Sequence, residues 1–458
     1  MDKKLLIILI IVIFFLLIFF SGITGFPQEN IEVSKKLWIT CPKNLAVFHI
    51  LVLISPSGEK MKNRYFHPLT EQAREYFKDF KNHPAVQRTD RIFRMMWYFV
   101  LNNIAFYYSE FPEAKLIKEF PPEYKERKAM EKMISEYVEL VKDFYVVSKF
   151  EDFWNDHTKD IQAMIEKIKE NLPQVDIPQL IEDFYGKRVD RFYYVASPFM
   201  ATSATHVEIQ GEKGGWSLYH IDGFQNYSDS FSNAFYAFHE FSHSFIEPIS
   251  SKYSEEISKL GYLYKPLKER FQRMGYKNWD RAFAEHMVTS GQLHLTRKAF
   301  GEKVAEKMLK REAGRGFKLI KLFYDYFKEY DENREKYKEL ELFYPEILNR
   351  LSRLQVEEYR KPGPMGFYPE YKEAQVFIKD IVPDSAFDKA GILKGDILFS
   401  VGDDKVTSEE SFYKAKEKWW NAAKEGDSTE IVFVREGEKI KKIIPVPFVT
   451  DYKYVEKE

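Results

Sequence analysis

Ser228-Asp-Ser-Phe-Ser-Asn-Ala-Phe-Tyr-Ala-Phe-His-Glu-Phe-Ser-His-Ser-Phe-Ile246 runs directly into Glu247 and Pro248. Phe231, Phe235, Phe238, Phe241 and Phe245 step by three or four residues, the spacing of one buried helix face. Ser228 or Asp229 can cap the start of that helix, and Pro248 is the expected stop. Within it, His239-Glu240-Phe241-Ser242-His243 fits H-E-x-x-H. Residues four apart lie one above the other on a helix, so both imidazoles can hold one Zn²⁺. Glu240 then stands beside the ion as the general base toward a zinc-activated water. Beside a wall of phenylalanines, a neutral imidazole is costly unless a hydrogen bond or a metal satisfies it. The pattern points to a hydrolase, with amide bonds as the commonest target.

The rest of the chain sets bounds on this reading. Its 458 residues suffice for two or three domains. With 69 basic and 70 acidic residues the net charge is −1, which argues against a nucleic-acid partner. Cys41 is the single cysteine, so neither an intrachain disulfide nor a multi-cysteine zinc site can form. At the N-terminus, Lys3-Lys4 precede an uncharged stretch from Leu5 to Phe26, long enough to cross a bilayer. The expectation is a signal anchor over residues 1–28, holding the remainder on the extracytoplasmic side, or secreted if the segment is cleaved.

Helical periodicity dominates residues 70–190, over Glu71–Phe80, Thr89–Ser109, Pro122–Phe144 and Phe150–Asn171. Strand patterns occur at Leu37–Thr40, Arg191–Ala196, Thr205–Gln210 and Trp216–Ile221, with glycine turns between the later ones. Leu45–Ile54 reads as a further strand or a helix. Helices are expected again over Glu255–Arg273, Arg281–Phe300, Gly301–Tyr330 and Tyr337–Tyr359, then a charged linker over Glu357–Met365. Beyond it the texture is β-rich. The fold class is α+β: a mainly helical domain with a small sheet over 29–360, then a β-rich domain over 361–450.

Two histidines leave a tetrahedral ion short of one protein ligand. Downstream candidates are Glu247, Glu285, His286 and His294; Glu247 is only one turn along the same helix. The metzincin continuation H-x-x-G-x-x-H is missing. Glu285, on the helix after Asp280, would complete the His₂Glu set of thermolysin-type enzymes. Oxyanion donors are open among His220, Tyr219, Arg315 and Tyr324, and the strand Trp216–Ile221 is the expected substrate-pairing edge. The segment Phe238–Pro248 resembles the signature of an uncharacterised family of zincin-like predicted peptidases. Weaker similarities lie at Leu45–Ser55, Asn82–Val86, the Glu285-His286 helix, Arg315–Phe317 and Phe343–Pro345. The resemblance implies a gluzincin, with His239, His243 and Glu285 as zinc ligands and Glu240 as base. Gluzincins often carry an orienting Asp four residues after the ligand Glu; here that residue is Thr289.

Pro364-Met-Gly-Phe367, Val382–Ala386, Lys389-Ala-Gly-Ile-Leu-Lys-Gly-Asp-Ile-Leu398 and Val401-Gly-Asp403 resemble a PDZ domain of the bacterial protease type. This implies a sheet edge that takes up a C-terminal or extended peptide, with the Met365-Gly366-Phe367 loop offering N–H groups to a carboxylate. Asp396 is placed to tie its own loop by side-chain hydrogen bonds. The combined expectation is a membrane-anchored zinc metallopeptidase acting on a peptide or protein substrate, with a recruiting or regulating PDZ domain. Its rivals are an inactive zincin-like scaffold working through the PDZ domain, and an amidase acting on cell-wall or small amides.

Overall fold

A computed structural model describes residues 30–118, 128–211, 215–223 and 228–457. They form two compact units, one from the described residues up to Ile257 with Asp280–Ile347, the other from Ser258–Trp279 with Leu348 onward. As expected, the class is α+β: helices with a small sheet, then a β-rich C-terminal region.

In the first unit β1 (Asn30–Ser34), β2 (Leu37–Thr40), β3 (Arg191–Ala196), β4 (Ala204–Gln210) and β5 (Trp216–Asp222) form one sheet in the order β1-β2-β3-β5-β4. β2, β3 and β5 are parallel, while β1 and β4 run antiparallel at the two edges. In β3 every residue from Phe192 to Ala196 is buried, the mark of a parallel strand covered on both faces. β4 alternates, with Val207 and Ile209 buried and His206 and Glu208 on the opposite face. The edge expected at Trp216–Ile221 is therefore corrected. β5 lies between β3 and β4, because the chain reaches the edge first and then turns back into the sheet.

Around the sheet, the helix Lys43–Leu53 is buried from Asn44 to Leu53. Phe77, Phe144, Phe150 and Phe153 form a ring cluster with centroids 5.0–6.4 Å apart. The helix expected over Thr89–Ser109 is two, Pro84–Met96 and Phe99–Tyr107, because Trp97 between them takes φ 52°. A further helix, Ile177–Tyr185, starts on Pro178 in its first turn and is capped by Asp176. The helix expected from Pro122 is described as Lys128–Val147; its expected start lies outside the described residues. Gly301–Tyr330 divides into Glu302–Gly314 and Ile320–Glu332.

The motif helix spans Ser230–Lys252 and packs on β4 and β5. Asp229 caps it, accepting from the N–H groups of Phe231 and Ser232. Phe235, Phe238, Phe241 and Phe245 are buried as the stripe requires. It does not stop at Pro248: proline removes one donor, but buried Ile246 and Ile249 on either side hold the helix in place.

The membrane-anchored, extracytoplasmic placement needs correction. Among the described residues no helix is long and apolar enough to cross a membrane. The helix Phe150–Glu170, for one, is amphipathic, with Glu151, Asp152, Lys167 and Lys169 at its ends. Residues 1–28, with the Leu5–Phe26 stretch on which the anchor rested, lie outside the described residues.

In the second unit β6 (Leu354–Pro362) and β13 (Phe448–Glu456) pair antiparallel along their whole length. This corrects two expectations, since the helix over Tyr337–Tyr359 ends at Ser352 and the linker after it is mostly strand. The helix expected over Glu255–Arg273 is broken into short turns, of which Gly261–Tyr264 and Lys268–Arg273 belong to this unit. They meet the β-ribbon through Tyr262 Oη donating to Leu354 O at 2.9 Å and Tyr454 Oη to Leu263 O at 2.8 Å. A second sheet has the order β12-β11-β9-β8-β7, with β7 (Phe367–Lys372) and β12 (Glu438–Pro445) outermost. Between them lie β8 (Gln375–Ile381), β9 (Ile397–Val401) and β11 (Ser428–Arg435), with the short β10 (Asp404–Lys405) on β9. Its own core includes Val376, Ile378, Phe387, Leu398, Phe412, Trp420 and Phe433. Asp396 ties the loop as expected, accepting from Leu393 N–H at 2.8 Å, and both its oxygens receive Arg435 at 2.8 Å.

Candidate functional site

The motif helix and the helix Trp279–Phe300, the partner helix, carry the cluster. The partner helix is buried on nearly all sides between Ala282 and Thr296, so it is a core element. It passes close to its neighbours at Gly291, where a Cβ would meet Tyr185 Oη at 2.2 Å and Ser242 Oγ at 3.4 Å. Tyr185 cannot easily swing aside, because its ring stacks on Phe245 with centroids 4.6 Å apart.

His239 Nε2 lies 3.3 Å from His243 Nε2 and 3.3 Å from Glu285 Oε1. The ligand atoms of all three lie within 4.8 Å of one another. A tetrahedral Zn²⁺ with bonds of about 2.0–2.1 Å sets its ligand atoms about 3.3–3.4 Å apart, so this donor set fits. Burial alone would lower the His239 pKa, but the charge and hydrogen bond of Glu285, and behind them Glu240, push it up to about 9. A position that draws in a proton so strongly also suits a cation.

Two of the other downstream candidates, His286 and His294, are occupied elsewhere. His286 Nδ1 donates to Ala282 O at 2.7 Å, and its ring packs on Phe317 and Phe323. His294 faces Asp331 at 3.3 Å and stacks on Phe184. Of the oxyanion candidates, Tyr219 turns to the opposite face of the sheet, stacking on Tyr193 and Phe106. Arg315 pairs with Glu312 at 2.8 Å and Tyr324 reaches toward Glu302 at 3.4 Å. His220 is fully buried against Tyr194, where burial lowers its pKa to about 4.

Three residues not singled out for these roles in the sequence complete the cluster. His206, on the helix-facing side of β4, lies parallel over the His243 ring with centroids 4.6 Å apart. Its Nδ1 is 3.5 Å from Glu240 Oε2. Burial would raise the Glu240 pKa; the hydrogen bond from His206 and the charges of His239 and His243 outweigh it and hold the carboxyl at about 2. Glu247 Oε1 lies 3.0 Å from His243 Nδ1, and Gln292 Oε1 lies 3.3 Å from His239 Nδ1. The signal for His206 was its place on a strand just before the motif helix. Glu247 lies within the Phe238–Pro248 segment and was weighed only as a ligand, while Gln292 carries no motif at all.

In the second unit a groove of ≈ 880 Å³ runs past Pro364, Phe367, Tyr368, Tyr413, Lys416 and Ile443. Tyr368, Tyr413 and Ile443 are 58%, 52% and 70% exposed, an apolar rim facing solvent. Of the expected loop residues, Met365 is buried in the core and Phe367 stacks on Phe387 at 4.9 Å. Gly366 takes φ +91°, and a Cβ there would meet the Ser385 Cβ at 2.0 Å. Its carbonyl accepts from Val382 N–H at 2.9 Å and Ser385 Oγ at 3.1 Å, which pins the loop.

Residues 363–446 match the PDZ domain family. Solved structures similar to the chain include the serine endoprotease from Yersinia pestis, at 21% identity over 19% of this chain and 30% of that one, TM-score 0.17. The HtrA3 PDZ domain bound to a phage-derived ligand is similar at 11% identity over 21% of this chain and 92% of that one, TM-score 0.17. An aminopeptidase N family protein from Idiomarina loihiensis is similar at 12% identity over 66% of this chain and 65% of that one, TM-score 0.23. The chain spans 30% of the length of the Yersinia protease and of a similar HtrA-type protease, AlgW. No curated protein matches the chain in sequence. Residues 55–350, which hold both helices of the cluster, match the family described as a domain of unknown function, DUF4932, and the chain belongs to that family.

Proposed function

We propose that this protein is a zinc metallopeptidase whose PDZ domain binds a peptide and so recruits substrate or regulates cleavage. The catalytic domain would occupy residues 29–360 and the PDZ domain 361–450. One observation carries the reading: ligand atoms of His239, His243 and Glu285 converge within 4.8 Å of one another, with His239 Nε2 3.3 Å from both His243 Nε2 and Glu285 Oε1, and Glu240 next to them. These three residues would hold Zn²⁺, and Glu240 is the base. When bound, the ion supplies Lewis acidity toward a scissile carbonyl and lowers the pKa of water.

The chain's own residues do the rest. Glu240 stays ionised at neutral pH and can accept a proton from the attacking water, then return it to the leaving amine. His206 holds that carboxylate from the edge strand, 3.5 Å away. β4 has an open edge among the described residues, and an extended peptide can pair with it by main-chain hydrogen bonds. The groove beside β7 offers a second edge, with an apolar wall, to another peptide segment.

The test is zinc content and peptide cleavage in the full chain. One zinc per chain, absent in His239→Ala, is expected. Glu240→Gln should keep the zinc and lose about 10³-fold or more in cleavage, as removal of an essential base does. A zinc-free wild-type protein, or cleavage unaffected by Glu240→Gln, would overturn the reading in favour of a scaffold.

A further inference from the structure

Two histidines can share one metal only if each turns a nitrogen bare of its proton toward it. In gluzincins an Asp four residues after the ligand Glu helps fix this; Thr289 cannot do so as a carboxylate. We propose that Glu247 and Gln292 are the positioning residues that take over this task, each locking one motif histidine as the Nδ1–H tautomer. The proposal rests on the zinc reading above and deepens it.

The donor and acceptor roles follow from the partners. Gln292 Nε2 donates to the carbonyl oxygen of Phe235 at 2.8 Å, and a carbonyl can only accept. The amide orientation is thereby set, and Oε1 is the atom that faces His239 Nδ1 at 3.3 Å. That oxygen also can only accept, so Nδ1 carries the hydrogen and Nε2 is left for a metal. An ionised Glu247 likewise accepts at 3.0 Å from His243 Nδ1. The two locks come from different places, one from the partner helix and one from the next turn of the motif helix. Both leave Nε2 atoms pointing at the same spot, 3.3 Å apart. Gln292 is buried at 3% exposure, so its amide has no water to turn to. Arg281 Nη1, 3.9 Å from Glu247 Oε1, favours the ionised form of that carboxylate.

The experiment measures zinc stoichiometry and affinity, by competition with a chelator, and the visible absorption of the cobalt-substituted protein. It uses the full chain as wild type, His239→Ala, Glu247→Leu, Glu247→Gln and Gln292→Leu. We expect one zinc in wild type and none held tightly in His239→Ala. Glu247→Leu and Gln292→Leu should bind one zinc about 10–100-fold more weakly, with a changed cobalt spectrum. Glu247→Gln should recover most of the loss, since its amide oxygen still accepts from Nδ1–H. A merely structural role would not be rescued in the spectrum this way. Wild-type affinity and an unchanged cobalt spectrum in Glu247→Leu would overturn the proposal while leaving the zinc reading intact. Two metal ions per chain, falling to one in Glu247→Leu, would make Glu247 a ligand and also overturn it. No zinc in the wild type would overturn both readings together. Should Gln292→Leu fail to fold, the half-exposed Glu247 pair decides the outcome.

Discussion

His49 sits at the centre of a buried chain of hydrogen bonds on the path to the edge strand. Its Nδ1 is 2.6 Å from Ser197 Oγ and its Nε2 2.8 Å from Asn102 Oδ1, and Asn102 Nδ2 donates to Thr205 Oγ1 at 2.7 Å. Because Asn102 donates through its nitrogen, its oxygen must accept, and His49 is the Nε2–H tautomer with Nδ1 accepting from Ser197. Burial pushes the His49 pKa down to about 4, against the weaker upward pull of Asn102. The folded pKa is thus below the unfolded value of about 6.5, so the unfolded chain takes up the proton first as pH falls. The stability that His49 contributes is full above about pH 6.5 and is lost progressively down to about 4. At pH 5 this amounts to about 2 kcal/mol. His67, His220 and His286 titrate in the same direction, so the measurement is a difference. Urea unfolding of wild type and His49→Gln at pH 7 and pH 5 should show the wild type losing about 2 kcal/mol more than the variant. Equal losses would mean that His49 does not titrate as a buried neutral group.

Gly291 brings the partner helix close to Tyr185 of the helix Ile177–Tyr185 and, less closely, to Ser242 of the motif helix. Alanine is a better helix former than glycine by about 1 kcal/mol, so on propensity alone Gly291→Ala should stabilise. Its methyl would, however, enter a space 2.2 Å from Tyr185 Oη, and overpacking a tight core costs about 1–3 kcal/mol. Since the Tyr185 ring is stacked on Phe245, the helix rather than the ring has to give. Gly291→Ala should therefore lower the melting temperature and weaken zinc binding together, while Gly261→Ala, with nothing within 4 Å of the added methyl, should do neither. Tight zinc binding with a raised melting temperature in Gly291→Ala would show that the helices do not need this approach. The motif helix itself was legible because its cap, its phenylalanine stripe and its histidine spacing all lie within one short segment. The edge strand was not, because order in the sheet depends on how the β4–β5 hairpin turns back, and period-two patterns are the same for an inner strand and an outer one. The stop at Pro248 misled for a similar reason: local breaking was outweighed by burial of Ile246 and Ile249, which only the fold reveals.

At the scale of the whole chain the two candidate sites draw on different cores. The cluster of His239, His243 and Glu285 stands on helices of the first unit, whereas the groove stands on a separate set of buried side chains from Met365 to Val446. The PDZ region was readable in sequence because its turn residues recur at fixed offsets. The pairing of β6 with β13 was not, since it joins segments some ninety residues apart, as in Tyr359 with Asp451. Cooperative losses are expected within a core and little between cores, since sites without shared partners act nearly additively. Tyr413, on the groove rim and 52% exposed, can be changed without opening that core. Tyr413→Asp places a charge where an apolar peptide residue would pack and should weaken peptide binding about tenfold, about 1.4 kcal/mol. It should leave zinc content untouched. His239→Ala should do the reverse, and the double variant should show the sum of the two effects. The readouts are metal analysis and fluorescence anisotropy of a labelled peptide with an apolar C-terminus. A Tyr413→Asp protein that loses zinc, or a His239→Ala protein that no longer binds the peptide, would mean that the sites are coupled and that the groove acts on the metal cluster rather than beside it.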